Sequence, residues 1–208
     1  MIKNKRLNAL INETKEIDKL LDIGCDHGLV LKGAFDQAFI KEGIAADINA
    51  KPLESAKKNL DGYNVKYVVS DGFKAINEEF DGVVIAGMGA MLITKIMEHA
   101  PDEKDITYIL QPNGKYEVLR SFLTKNGFKI IDETIVKDKF YYIIIKSIRG
   151  FSDLTDEQIF LGPILMNKDS SKNYYRYVLD KYYQLMNLKG VEDKTILERV
   201  KWLENIIE

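Results

Sequence analysis

The sequence predicts an α/β protein, with a mostly parallel, doubly wound sheet followed by an antiparallel helical hairpin. Three observations carry this reading. Over the first 148 residues, short β-rich runs alternate with stretches of helical apolar spacing. The first of those runs ends in a glycine turn. After Arg149-Gly150 no convincing strand remains, and two apolar helical stripes take over. A chain of 208 residues has room for one full domain and an appendage. The expected division is 1–150 and 151–208.

Taken in order, Lys19 to Ile23 is a short apolar run that stops at Gly24, and Leu29 to Ala38 is helical. Gly43 to Ile48 reads as a buried second strand. In Lys51 to Leu60, apolar Leu53, Ala56 and Leu60 fall at helical spacing, and Pro52 suits a first turn. Lys66 to Val69 and Asp81 to Ala86 are the third and fourth strands, the latter followed by helical Ala90 to His99. Thr107 to Gln111 is the fifth strand, followed by helical Tyr116 to Asn126. Lys129 to Val136 and Tyr141 to Ile148 are joined by a hairpin-length turn, which predicts an antiparallel pair. In the remainder, Thr155 and Gln158 form a capping-box pattern. Tyr174, Val178, Leu179, Tyr182, Leu185 and Leu188 make one apolar face, Lys189-Gly190 breaks it, and Ile196, Leu197, Val200, Leu203 and Ile207 make a second. Mutual packing of the two explains both stripes.

Composition excludes several classes. With 46% hydrophobic residues and a net charge of -2, the chain is not disordered. Gly 14, Pro 4 and Cys 1 exclude collagen-like and disulfide-framework chains. A lone Cys25 fits a reducing compartment. The polar, basic start lacks the apolar core of a signal peptide. The run Phe140 to Ile145 is far shorter than the roughly twenty residues a membrane helix needs. The expectation is a cytoplasmic protein that contacts no membrane. Near-neutral charge argues against a bulk coat for nucleic acid but leaves room for a local patch. The segment 151–208 has eight basic and ten acidic side chains, so the first 150 residues balance. The one clear local excess is Lys3, Lys5 and Arg6, with no acid before Glu13.

The most informative segment is Leu21-Asp22-Ile23-Gly24-Cys25-Asp26-His27-Gly28, a strand, a tight turn and a helix start. In doubly wound folds this is where nucleotide-like ligands bind. The spacing is Gly-x-x-x-Gly, so the dinucleotide fingerprint is absent. The turn is also acidic, which suits a ligand with an amino group and a cationic centre, such as S-adenosylmethionine. Asp47, about twenty residues on, matches the position that holds ribose hydroxyls. Asp71-Gly72, after the third strand, can accept from an adenine amine. Each of these carboxylates could instead serve a turn or cap. All three fall at the carboxyl ends of consecutive strands, where ligands bind. His27 either orients ligand or caps the helix. Cys25 reads as a small packing residue, and no metal-ligand spacing accompanies it, so no metal is expected. The Ala86-Gly87-Met88-Gly89 loop ends strand four beside this edge. Gln111-Pro112-Asn113 ends strand five with two amides that can read a base edge, although Asn113-Gly114 also reads as a turn. Pro112 stiffens that loop.

The combination of DIGCDHG at 22–28, AGMGA at 86–90, LQPN at 110–113 and the early Lys5-Arg6-Leu7 resembles the bacterial tRNA (adenine22-N1)-methyltransferases. The resemblance spans essentially the whole chain. Cys25 stands where that family typically has Ser, and Ala90 where it has Gly. The resemblance implies a Rossmann-like class I methyltransferase fold with S-adenosylmethionine as cofactor and tRNA as partner. It also implies methylation of N1 of adenine 22 in the D-loop, with the helical tail a coiled-coil-like hairpin that binds tRNA; a chain with its own RNA-gripping appendage is expected to act as a monomer. On that basis, cofactor contacts fall to Asp22, Gly24, Cys25, Asp26, His27, Gly28, Asp47, Ile48, Asp71, Gly72, Ala86, Gly87, Met88 and Gly89. Asp26 is the candidate to stabilise the cationic product, with Asn113 or Gln111 gripping the base. Lys5, Arg6 and Pro112 face the RNA, although Arg6 could also be a solvated surface arginine. Without the resemblance, a methyltransferase acting on a small molecule or protein, or a non-catalytic module binding S-adenosylmethionine or RNA, stays open. A nicotinamide oxidoreductase is disfavoured by the glycine spacing and the acidic turn.

Overall fold

The computed structural model describes residues 4–189 and 193–208. The chain divides into two compact units, Met1–Ser152 and Asp153–Glu208.

The first unit opens with a helix where the sequence reading saw only a polar, basic leader. This is α1 (Lys5–Glu13). Asn4 caps it, its side chain accepting from the Leu7 N–H at 3.0 Å. Leu7, Leu10 and Ile11, spaced three and four apart, are buried. Ile11 packs so closely on Gly33 that a Cβ at that glycine would collide with it.

The elements then alternate. They are β1 (Lys19–Ile23), α2 (Leu29–Asp36), β2 (Glu42–Asp47), α3 (Ala50–Asn59), β3 (Val65–Val69), β4 (Gly82–Met88), α4 (Ala90–Met97), β5 (Thr107–Pro112), α5 (Tyr116–Lys125), β6 (Phe128–Lys137) and β7 (Tyr141–Arg149). The sheet has seven strands in the order β3-β2-β1-β4-β5-β7-β6. Strands β1 to β5 pair in parallel, and β7 runs antiparallel to both β5 and β6. Leu20 and Leu21 of β1, Val83 and Val84 of β4 and Ile109 of β5 are fully buried, as strands covered on both faces require. Burial of each such side chain stabilises the fold by about 1.5–3 kcal/mol. The chain leaves β1 on one side for β2 and returns on the other as β4. The carboxyl ends of β1, β2, β4 and β5 thus meet at a topological switch point.

Strand β4 runs two residues past the expected Ala86. Its register shifts between Ala86 and Met88, and Gly87 takes φ +77 at that bulge. The β6–β7 hairpin is closed by the Asp138 N–H donating to the Phe140 carbonyl at 3.0 Å. Beneath it, Arg120 of α5 and Glu133 of β6 form a fully buried ion pair at 2.7 Å.

The second unit is helical, with α6 (Asp156–Leu161), α7 (Lys172–Lys189) and α8 (Lys194–Ile207). The Thr155/Gln158 capping box is present in both directions. Tyr182 accepts from Arg199, and Tyr183 donates to Glu204, so α7 and α8 pack against each other. Phe160 of α6 lies edge-on to Tyr182 and 6.0 Å from Trp202. On α7 the buried ring is Tyr175, whose hydroxyl donates to the Leu161 carbonyl, whereas the expected Tyr174 is only half-buried. Val200 and Leu203 of α8 are buried, and Leu197 is exposed. The expected break at Gly190 lies outside the described residues.

Candidate active site

The turn after β1 is built against the end of β2. The N–H groups of Gly24 and Cys25 both donate to the Ala46 carbonyl, at 2.8 and 3.0 Å. Gly24 has φ +73, and a Cβ on it would run into the Met88 methyl from β4. Gly28 opens α2 in the left-handed region, against Leu60 and Ala56 of the neighbouring segment. Asp26 between them also takes a positive φ, +49, which aspartate tolerates better than most residues. Its carboxylate is exposed and lies 3.6 Å from the exposed His27 ring. The Asn59 side chain donates to the His27 carbonyl at 2.9 Å and ties the turn to α3. Cys25 is buried, and burial with Asp22, Asp47 and Asp26 nearby pushes its thiol well up. It fills space in this turn.

Asp22, next to last in β1, is buried. Burial, reinforced by the negative charge of Asp47, pushes its carboxyl up to about 7. Its Oδ2 is buried with no hydrogen-bond partner among the described residues. Such an acceptor costs stability until something donates to it. Asp47, half-buried at the end of β2, accepts from the Asn49 N–H at 3.0 Å with one oxygen. Ile48 beside it is 62% exposed, a large apolar side chain left open on this edge. Ser70 fixes the next turn, with its hydroxyl donating to the Gly72 carbonyl and accepting from the Ala75 N–H. Asp71 pairs with Lys74 at 2.6 Å, which holds its carboxyl below the usual range.

The ends of β4 and β5 are clamped together. The Asn113 side chain donates to the Gly87 carbonyl at 2.7 Å, and its N–H donates to the Met88 carbonyl at 2.8 Å. Gln111 is fully buried. Its Oε1 accepts from Arg6 Nη1 at 2.6 Å, and its Nε2 donates to the Pro112 carbonyl at 2.7 Å. That placement corrects the expectation that Gln111 grips a base edge, because both polar ends of its amide are engaged inside the protein. Arg6 is not a solvated surface arginine either. Its guanidinium lies over the Tyr142 ring at 5.6 Å, with Nη1 beside Gly87. Tyr142 was missed by the sequence reading, since nothing local marks it. Lys5 is exposed, and its N–H donates to Asp138 at 3.1 Å. Pro112 is buried.

Among the described residues, no group of three His, Cys, Asp or Glu could hold a metal ion, and no helix is long and apolar enough to cross a membrane. A cavity of about 580 Å³ opens at the opposite edge, lined by Asp81 and Ile106 at the amino ends of β4 and β5. It belongs to a different part of the sheet from the glycine turn.

The sheet order and the acidic glycine turn at the switch point define a Rossmann-like fold with a ligand-binding edge at the carboxyl ends of its central strands. Residues 20–208 match the family model described as tRNA (adenine(22)-N(1))-methyltransferase. A Mycoplasma pneumoniae relative is 34% identical over 187 residues, covering 84% of this chain and 87% of its own. The Bacillus subtilis tRNA (adenine(22)-N(1))-methyltransferase is 31% identical over 152 residues, covering 68% of this chain and 63% of its own. The structure of M. capricolum TrmK with S-adenosyl-homocysteine superposes with a TM-score of 0.83 at 23% identity, covering 100% of both chains. The chain belongs to the tRNA (adenine(22)-N(1))-methyltransferase family.

Proposed function

We propose that this chain methylates N1 of adenine 22 in the D-loop of tRNA at the edge formed by the carboxyl ends of β1, β2, β4 and β5. The observation that carries the reading is the family match over residues 20–208, and the buried, unpartnered Asp22 oxygen beside a glycine turn supports the cofactor site. A ligand that brings an ammonium group satisfies it. Asp47 retains an acceptor for ribose hydroxyls beyond the one held by Asn49. Ile48 and the Asp71-Gly72 turn flank the place for an adenine ring. Bound S-adenosylmethionine supplies an electrophilic methyl group.

The substrate adenine has to leave its stack to reach this edge. Its N1 already carries a lone pair, so no residue needs to remove a proton first. The chain therefore contributes alignment and charge. Asp26, exposed at the turn, offers a carboxylate to the positive charge that develops on the base. Asn113 fixes the β4–β5 loop that the base approaches. Gln111 acts through Arg6, holding the guanidinium where it can meet RNA phosphate or the base edge. The second unit serves as a tRNA-binding appendage, and the enzyme works as a cytoplasmic monomer.

The test is tritium transfer from labelled S-adenosylmethionine into unmodified tRNA and into the same tRNA with guanine at position 22. Label in the first and not the second is expected. Label in neither overturns the reading in favour of a small-molecule or protein substrate, or of a binding module.

A further inference from the structure

The tip of the β6–β7 hairpin lies at the edge that carries the site. Strand β7 pairs antiparallel with β5, with Leu110 opposite Ile145. The beginning of β7 therefore lies beside the Gln111–Asn113 end of β5. The tip carries Lys137, Lys139 and Phe140, all exposed. Phe140 is 57% exposed, unusual for so large an apolar ring. From it a ladder descends to the site. Phe140 meets Tyr142 edge to face at 6.5 Å, and Tyr142 lies under the Arg6 guanidinium, which reaches Gln111 and Gly87.

The cations are organised too. Lys137 lies over the Tyr141 ring at 4.0 Å, and Lys139 sits 5.7 Å from the Phe140 ring. The one acid of the tip, Asp138, turns to the first N–H of α1 at Lys5, where a carboxylate complements the helix terminus. That bond fixes the tip to the basic start of the chain. The chain as a whole is nearly neutral, so this concentration of cations around an open ring is a placed feature.

We propose that the β6–β7 tip is an RNA-docking platform. Phe140 stacks on an unpaired base next to the target adenine, while Lys5, Lys137 and Lys139 hold the flanking phosphates. The inference rests on the proposed tRNA reading and deepens it. RNA is the occupant because one exposed aromatic ring flanked by exposed lysines matches the two faces of a single-stranded loop, π-surface and phosphate.

The test is binding of labelled tRNA across a series of salt concentrations by anisotropy. S-adenosylmethionine affinity and thermal melting serve as controls for folding. For the Lys137→Ala/Lys139→Ala double variant, tRNA affinity should fall about ten-fold, and the log–log salt slope should shrink by between about 1 and 2. For Phe140→Ala, affinity should fall roughly ten-fold with the salt slope unchanged, and Phe140→Tyr should restore it. Should Phe140→Ala fail to fold, Lys139→Glu and Phe140→Tyr decide the matter, the first weakening tRNA binding and the second sparing it. Variants that bind tRNA as the parent does, with the same salt slope, overturn the platform and leave the enzyme reading intact. A parent chain that neither binds nor labels tRNA overturns the enzyme reading itself. Variants that lose affinity for proteins but not for tRNA would mark the tip as a protein-docking surface and overturn the proposal.

Discussion

Arg6 in the first turn of α1 donates to Gln111 at the buried end of β5 at 2.6 Å, joining residues 105 positions apart. The bond converts a long, mobile side chain into a fixed cation over Tyr142. A hydrogen bond to a charged group contributes about 1.5–3 kcal/mol. Loss of that positioning should therefore cost methyl transfer about 10- to 100-fold. Gln111→Ala and Arg6→Ala are expected to lower kcat/KM for tRNA to a similar degree, with S-adenosylmethionine affinity little changed. Arg6→Lys should not rescue, because an ammonium cannot reproduce the planar fork. Steady-state kinetics with calorimetry of cofactor binding checks this. A fully active Gln111→Ala enzyme would refute the link.

Much of this architecture was legible beforehand. The alternation of strands and helices, the glycine turn and the strand-end carboxylates all rest on local pattern, and the structure puts Asp22, Gly24 and Asp47 on one edge. Helix α1 was not read, because Lys5, Arg6 and the flanking asparagines masked the Leu7, Leu10, Ile11 stripe. The Arg6–Gln111–Tyr142 cluster could not have been read at all. It joins three distant segments, and a buried glutamine has the same local signature as a solvent-facing one. Tyr175 in place of Tyr174 shows the same limit, since adjacent aromatics differ in burial only through what packs over them.

Asp22 makes the free protein sensitive to pH. Its carboxyl sits at about 7 in the fold against 3.8 for the unperturbed group. The folded state thus binds the proton more tightly than the unfolded chain. Stability from this group is full below about pH 4 and is lost as pH rises through about 7. The ligand acts oppositely, because an ammonium group favours the ionised carboxylate. S-adenosylmethionine affinity should therefore strengthen as pH rises from 5 to 8, and Asp22→Asn should flatten that dependence while weakening binding at pH 8. Calorimetric titrations at several pH values check it. An affinity independent of pH in the parent protein would exclude the role.

The Arg120–Glu133 pair is a stability element outside the site. Both side chains are fully buried and 2.7 Å apart. Removing one partner leaves a charge in a low-dielectric interior, at a cost of about 3–5 kcal/mol. Glu133→Gln should lower the melting temperature markedly in a thermal scan. Cofactor affinity measured well below that temperature should stay near the parent value. If Glu133→Gln melts like the parent, the pair has little structural weight.

Asp26 stands at φ +49 with its carboxylate exposed, so the choice of substitution decides what is learned. Asparagine tolerates the left-handed region as well as aspartate does, and Asp26→Asn removes the charge with little disturbance of the turn. If the carboxylate stabilises positive charge on the methylated base, turnover should fall about 100-fold or more, the scale on which a placed electrostatic group acts. S-adenosylmethionine affinity should stay within a few-fold, since Asp22, Asp47 and the glycine turn remain. If Asp26 serves the cofactor, Asp26→Asn should instead lose affinity and recover turnover at saturating cofactor. Single-turnover methylation at saturating cofactor separates the two, and an unimpaired rate there would remove Asp26 from the chemical step.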